Sequence, residues 1–163
     1  MKYYISEYWS MMNSSDESVR KEGHEKWDKS VAEYTEHYKE IRKKLPKGFI
    51  KIYDKYNFHD FEIIDINVHN DLSRKLNASL LIYDYYKDYG SNNYFEIIYY
   101  DVKQCNYRVV NASQKLGWGY DEFEIKEGLW IHRILCNSGT ELEIVFSRIG
   151  VRKVTKQLHP RSR

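Results

Sequence analysis

The sequence predicts an α+β protein, with two to three helices in its N-terminal part followed by an antiparallel sheet of about six strands, largely a meander, and the long helix packed on one face of that sheet. Three observations predict it. Apolar residues recur at helical spacing as far as residue 58, the rhythm changes to strict alternation from Phe61 onward, and the connections in the last third are too short to join anything but antiparallel neighbours.

The first helix is expected around Tyr3, Tyr4, Glu7, Tyr8, Met11 and Met12, and Asn13-Ser14-Ser15 interrupts it. The second and longest spans about Asp16 to Lys44, where Val19, Trp27, Val31, Tyr34, Tyr38, Ile41 and Leu45 form one stripe. Ser14 with Glu17 reads as a capping box at its start, and Arg42, Lys43 and Lys44 complement its negative end before Pro46 and Gly48 stop it. Gly23 inside the stripe predicts fraying or a kink, since glycine costs about 1 kcal/mol relative to alanine in a helix. Phe49, Ile52, Tyr53 and Tyr56 give a third, short helix ending near Asn57.

Ile64, Ile66 and Val68 then alternate with Asp65, Asn67 and His69, and Leu76, Ala78, Leu80 and Ile82 alternate with Asn77, Ser79, Leu81 and Tyr83. Asn70-Asp71 is a turn between these strands, and Gly90-Ser91-Asn92-Asn93 precedes the strand Tyr94 to Val102. Lys103 to Gly117 loses the alternation and reads as loop or a broken helical turn. Strands Tyr120 to Lys126, Leu129 to Cys136 and Glu141 to Arg148 are joined by Glu127-Gly128 and Asn137-Ser138-Gly139. The middle one is apolar on both faces, which places it centrally. The chain is one domain, with residues 1–58 helical, 59–150 forming the sheet and 151–163 a basic tail.

With 163 residues, 42% hydrophobic and 31% charged, the chain can bury a core and is not disordered. The net charge of +2 announces neither a nucleic-acid nor a membrane partner. Five Lys or Arg lie between Val151 and Arg163 with no acid, leaving the preceding residues at −3. That basic end reads as a solvated terminus rather than a binding arm. No apolar stretch of signal-peptide or membrane-spanning length occurs, and the two cysteines, Cys105 and Cys136, form no metal-binding pattern. These features predict a cytoplasmic protein with reduced thiols, no structural zinc and no cofactor, so that the Asn-x-Ser/Thr triplets carry no sugar.

Candidate chemistry is sparse. His59-Asp60 can bind metal or move protons if further His and Asp residues converge on it, but a turn role for Asp60 is favoured. His132 and Cys136 share a strand face, yet four residues of strand span about 13 Å, too far for proton transfer. Glu124-Ile125-Lys126 with Asp101 or Asp121 resembles the Asp…Glu-x-Lys set of magnesium nucleases, although an isolated Glu-x-Lys is nearly expected at this charge density. Tyrosine is abundant, 16 residues, and with Trp118 could stack on bases. The segment Tyr83, Asp84, Tyr85, Tyr86, Lys87, Asp88 and Tyr89 is acidic, so it suits a protein partner better than nucleic acid. No residue is assigned a catalytic, cofactor-binding or metal-binding role.

The opening Met1-Lys2-Tyr3-Tyr4 with Glu7-Tyr8-Trp9, then Phe58-His59-Asp60-Phe61-Glu62-Ile63-Ile64, Gly119-Tyr120-Asp121-Glu122-Phe123 and Ile131-His132-Arg133-Ile134-Leu135, resembles a family of small uncharacterised proteins of Gram-positive bacteria that carry a domain of unknown function. The resemblance implies a helical N-terminal part, a His-Asp doublet leading into the first strand, and an intracellular setting. It also implies a distant similarity to helix-plus-sheet immunity proteins, which neutralise toxins by binding them. Phe61 departs from the small polar residue common in such relatives. The function expected on these grounds is a non-enzymatic interaction protein using an exposed sheet face or the Tyr83 to Tyr89 edge. The rival is a metal-dependent hydrolase or nuclease built on His59, Asp60, Asp101, Glu124 and Lys126.

Overall fold

The computed structural model describes residues 1–85, 93–108 and 115–155. The chain is α+β, with helices α1 (Ser6–Met12), α2 (Glu17–Ile41) and α3 (Lys47–Tyr56) preceding eight strands among the described residues. These are β1 (Glu62–Asn70), β2 (Leu76–Tyr83), β3 (Tyr94–Tyr100), β4 (Gln104–Arg108), β5 (Trp118–Lys126), β6 (Leu129–Cys136), β7 (Glu141–Phe146) and β8 (Arg148–Val154). They form two four-stranded antiparallel sheets, ordered β1-β2-β3-β8 and β4-β7-β6-β5. No helix among the described residues is long and apolar enough to cross a membrane.

The expected strands are present, with β6 between β5 and β7. Two more enlarge the count from about six to eight and divide the sheet in two. Gln104 to Arg108, expected as loop, pairs with β7, and Val151 to Val154, expected as the start of a tail, belongs to β8 and pairs with β3. The rest of the tail, from residue 156, lies outside the described residues. These two strands explain the division. The stretch β3–β4 crosses from the first sheet to the second and β7–β8, antiparallel to it, crosses back at the same corner, held by Ser147 N donating to Tyr100 O (3.1 Å) and Lys103 N to Val145 O (2.8 Å).

The turns follow their residues. Glu127 (φ 53°) and Gly128 (φ 79°) both take positive φ, the type I′ geometry that matches the twist of a two-residue hairpin. Asp71 Oδ1 accepts from Ser73 N (2.8 Å) and Lys75 N (3.0 Å), closing the β1–β2 turn. In β1 the register shifts between Ile63 and Asp65. The bulge moves Ile63 in place of Ile64 onto the core face opposite Ile82, while Ile66 and Val68 keep that face opposite Leu80 and Ala78, Val68 being 46% exposed.

The N-cap of α2 is Asp16, whose Oδ1 accepts from Ser18 N (2.8 Å) and Val19 N (3.2 Å), so the expected Ser14–Glu17 box does not form. Gly23 does not interrupt α2, which runs unbroken from Glu17 to Ile41. It lets α1 cross it, because a Cβ there would lie 2.7 Å from Met11 Cβ and from Met12 N. The long helix lies against β5, the outer strand of its sheet, where Phe123 N donates to the Tyr34 hydroxyl (2.8 Å). A tyrosine thereby satisfies a strand-edge donor that no neighbouring strand reaches. Between the sheets sit Leu80, Ile97, Tyr99, Trp118, Phe123, Ile134 and Phe146, all below 2% exposed. Phe49 and Tyr53 of α3 close over Phe123 at centroid distances of 5.7 and 5.9 Å.

Candidate functional site

The helical and sheet halves meet at a turn of three left-handed residues, Asn57 (φ 51°), Phe58 (φ 38°) and Asp60 (φ 66°). Such conformations cost about 1–3 kcal/mol for a bulky residue and persist where the surroundings enforce them. Here the enforcement is visible. Phe58 is fully buried against Tyr53, Phe61, Phe95 and Trp118, and Asp60 N donates to Trp118 O (2.7 Å). The packing of Phe58 turns His59 and Asp60 outward, with side chains 40% and 42% exposed and His59 Nδ1 2.9 Å from Asp60 Oδ2. That pair leaves His59 Nε2 available to solvent chemistry.

Beside this turn lies a cleft of about 370 Å³ between α2, α3 and the N-terminal segment. Tyr4, Tyr34, Tyr38 and Tyr53 line it, with Asp54 and Asn57 at its edge. Tyr4 stacks on Tyr120 (5.1 Å, 18°), and the His59 ring meets Tyr120 edge-on at 5.1 Å, so doublet and cleft share one aromatic wall. Asp54 is ion-paired with Arg42. The Tyr38 hydroxyl is buried and has no hydrogen-bond partner among the described residues.

Beneath the cleft is a polar chain sealed in the core. Asp121 accepts from Trp118 Nε1 (3.1 Å) on one oxygen, and from the Tyr53 hydroxyl (2.8 Å) and His132 Nε2 (2.9 Å) on the other. Tyr99, whose hydroxyl burial pushes well above its ordinary value, lies 2.8 Å from His132 Nδ1. One assignment satisfies every group: Tyr99 O–H donates to Nδ1, Nε2–H donates to Asp121, and His132 is the Nε2–H tautomer. The donors all run towards one carboxylate. His132 is fully buried and Phe123 stacks on it at 3.9 Å and 10°. With no route to solvent for the imidazole, the chain is built to hold the two sheets and α3 in register.

The remaining candidates go elsewhere. Tyr83 stacks on Tyr94 (4.4 Å), and Tyr85 is 49% exposed beneath the Lys115 ammonium. Asp84 is buried and accepts from Asn93 Nδ2 (3.2 Å) at the base of the β2–β3 hairpin. Tyr86, Asp88 and Tyr89 lie outside the described residues. Asp101 pairs with Lys103 and Lys75, and Glu124 with Arg133 and Lys2. Among the described residues no three of His, Cys, Asp and Glu come together as metal ligands, so His59, Asp60, Asp101 and Glu124 do not assemble with Lys126 into one centre. Burial pushes the Cys136 thiol up to about 12, which removes it as a nucleophile.

Asp121, which the sequence offers as a carboxylate for the Glu124-x-Lys set, bonds His132 instead, and the cleft tyrosines carry no expectation as a site; a signal for the Asp121–His132 pair exists in the sequence. A two-residue hairpin pairs Lys126 with Leu129, and counting back places Asp121 diagonal to His132 on one face.

No protein-family model matches this chain, and no curated protein sequence matches it. A crystal structure of an uncharacterized protein from Neisseria gonorrhoeae is similar over 60% of this chain and 94% of that one, with 14% identity and a TM-score of 0.44. A likeness of that degree names neither a family nor an activity.

Proposed function

We propose that the protein acts by binding another protein, in the manner of immunity proteins, and is not an enzyme. What supports this reading is the outward face of the first sheet. Leu80, Ile82, Phe95 and Ile97 point inward, so their neighbours Leu81, Ile98 and Tyr100 point out, and all three are only half-buried. The Tyr83–Tyr94 stack lies on the same face, and the Glu96–Arg152 ion pair, with Glu96 opposite Leu81 and between Tyr94 and Ile98, crosses it. Rigid aromatic and aliphatic area around a charged pair is a composition that suits contact surfaces. The test is retention of a stoichiometric partner from the protein's own cells on immobilised wild type and on Ile98→Lys. Loss of the partner by a variant that keeps the wild-type melting temperature supports the reading. A wild type that retains nothing, or a variant that retains as much, overturns it.

The hydrolase reading rests on His59 and Asp60 alone, the exposed pair on the strained turn. It requires that magnesium or manganese give binding heat that His59→Ala abolishes. A flat titration removes it.

A further inference from the structure

We propose that the tyrosine-lined cleft between α2, α3 and the N-terminal segment is a binding site for the quaternary ammonium group of a small molecule. This goes beyond the protein-binding reading and uses a different surface.

The walls are the first ground. Tyr4, Tyr34, Tyr38 and Tyr53 line one cavity of about 370 Å³, larger than a tetraalkylammonium head and able to take what the head is attached to. Tyr34 lies 5.3 Å from Tyr4 and 5.8 Å from Tyr38, and Tyr38 lies 6.2 Å from Tyr53, so the rings form a continuous wall. Aromatic faces attract cations through their quadrupole, and a methylated ammonium loses little on leaving water because it donates no hydrogen bonds.

The charge behind the walls is the second ground. Among the described residues Asp121 is bonded by its side chain to Trp118, Tyr53 and His132, and His132, at 2.9 Å, is the one basic group within ion-pair distance. With His132 in the Nε2–H form assigned above, the carboxylate lies behind the Tyr53 ring with no cationic side chain against it. Consistently, burial first and the Asp121 charge after it raise the hydroxyls of Tyr4, Tyr34 and Tyr53, while Tyr38 feels burial, Asp54 and Asp121. Arg42, the cation at the edge, is offset by its own partner Asp54.

The Tyr38 hydroxyl has no hydrogen-bond partner among the described residues, but its oxygen is shut off from solvent, so a ligand in the cleft meets the Tyr38 ring and not its hydroxyl. Thr35 is already committed, donating to Val31 O (2.8 Å).

The experiment titrates the full chain with tetramethylammonium chloride, followed by amide and tyrosine-ring NMR shifts, with sodium chloride holding ionic strength constant. The neutral compound of the same shape, tert-butanol, is the comparison. The expected result is saturable shifts confined to Tyr4, Tyr34, Tyr38 and Tyr53, with tetramethylammonium binding at least about fivefold tighter than tert-butanol. Tyr38→Leu, or Tyr4→Leu should the first not fold, weakens the cation by about fivefold and leaves tert-butanol unchanged, whereas Tyr38→Phe keeps the cation. Equal affinity for the two compounds, shifts scattered over the acidic surface, or no saturation overturns the proposal.

Discussion

Asp121→Ala tests whether the buried polar chain holds the fold. The carboxylate, with a side chain only 6% exposed, accepts from Trp118 Nε1, Tyr53 and His132 Nε2 at 3.1, 2.8 and 2.9 Å. Truncation orphans three interior donors at about 1–3 kcal/mol each, or roughly 3–9 kcal/mol together. Against this stands the relief of a buried charge, which costs several kcal/mol to keep out of water. The net expected loss is about 3–5 kcal/mol, a large part of the roughly 5–15 kcal/mol that holds a domain of this kind. Asp121→Asn should lose less, about 1–3 kcal/mol. Its carbonyl can still accept from Trp118, and its amide can be received at Nε2 if His132 moves its proton to Nδ1. The proton of Tyr99 then lacks an acceptor, and so does that of Tyr53. Urea denaturation followed by tryptophan fluorescence, with m-values compared, gives both numbers. An alanine variant within about 1 kcal/mol of wild type would refute the reasoning, since the donors would then have found other partners.

Three further outcomes follow from single features. Gly23→Ala should destabilise despite alanine's helix propensity, because about 1 kcal/mol of propensity is set against about 1–3 kcal/mol for forcing a Cβ onto Met11 and Met12 at 2.7 Å; a higher melting temperature would contradict the close helix crossing. In the native protein Cys136, 2% exposed and with its thiol pushed up to about 12, should resist a thiol reagent at pH 8 while reacting fully in urea; native modification at the rate of a free thiol would show that the strand end opens. Burial raises the Glu124 carboxyl, but the Arg133 hydrogen bond and the charges of Arg133 and Lys2 outweigh it and leave it below its ordinary 4.5. A depressed folded value stabilises above the unfolded one and is lost as pH falls through it, so Glu124→Gln should be less stable than wild type at pH 7 and converge with it below pH 4.5; a gap that widens on acidification would reverse the sign.

The elements legible in the sequence were those with two unlike faces. The α2 stripe, the β2 alternation and the Glu127-Gly128 hairpin each state where the core lies. The strands that escaped are outer strands of their sheets. In β4 only Cys105 of five residues is even half-buried, and in β8 Arg152 and Lys153 are exposed, so alternation vanishes and charge dominates. That is what an outer strand needs in order not to recruit another chain. A basic composition thus concealed a strand by the same chemistry that keeps it safe.

The surplus of tyrosine has a comparable explanation. On α2 the ring of Tyr34 serves the apolar stripe, while its hydroxyl meets the Phe123 N–H that β5 leaves unpaired at the sheet margin. Tyr53 does the same for Asp121, and Tyr99 for His132. Phenylalanine would fill these places equally well and leave a strand N–H, a carboxylate and an imidazole each short of one bond. The hydroxyls mark where helix meets sheet edge and where one sheet meets the other, which is information about tertiary contact that no local spacing carries. Tyr38 breaks the pattern. It continues the same stripe one turn beyond Tyr34, yet its buried hydroxyl has no hydrogen-bond partner among the described residues, and the place where the rule fails is a residue of the cleft wall.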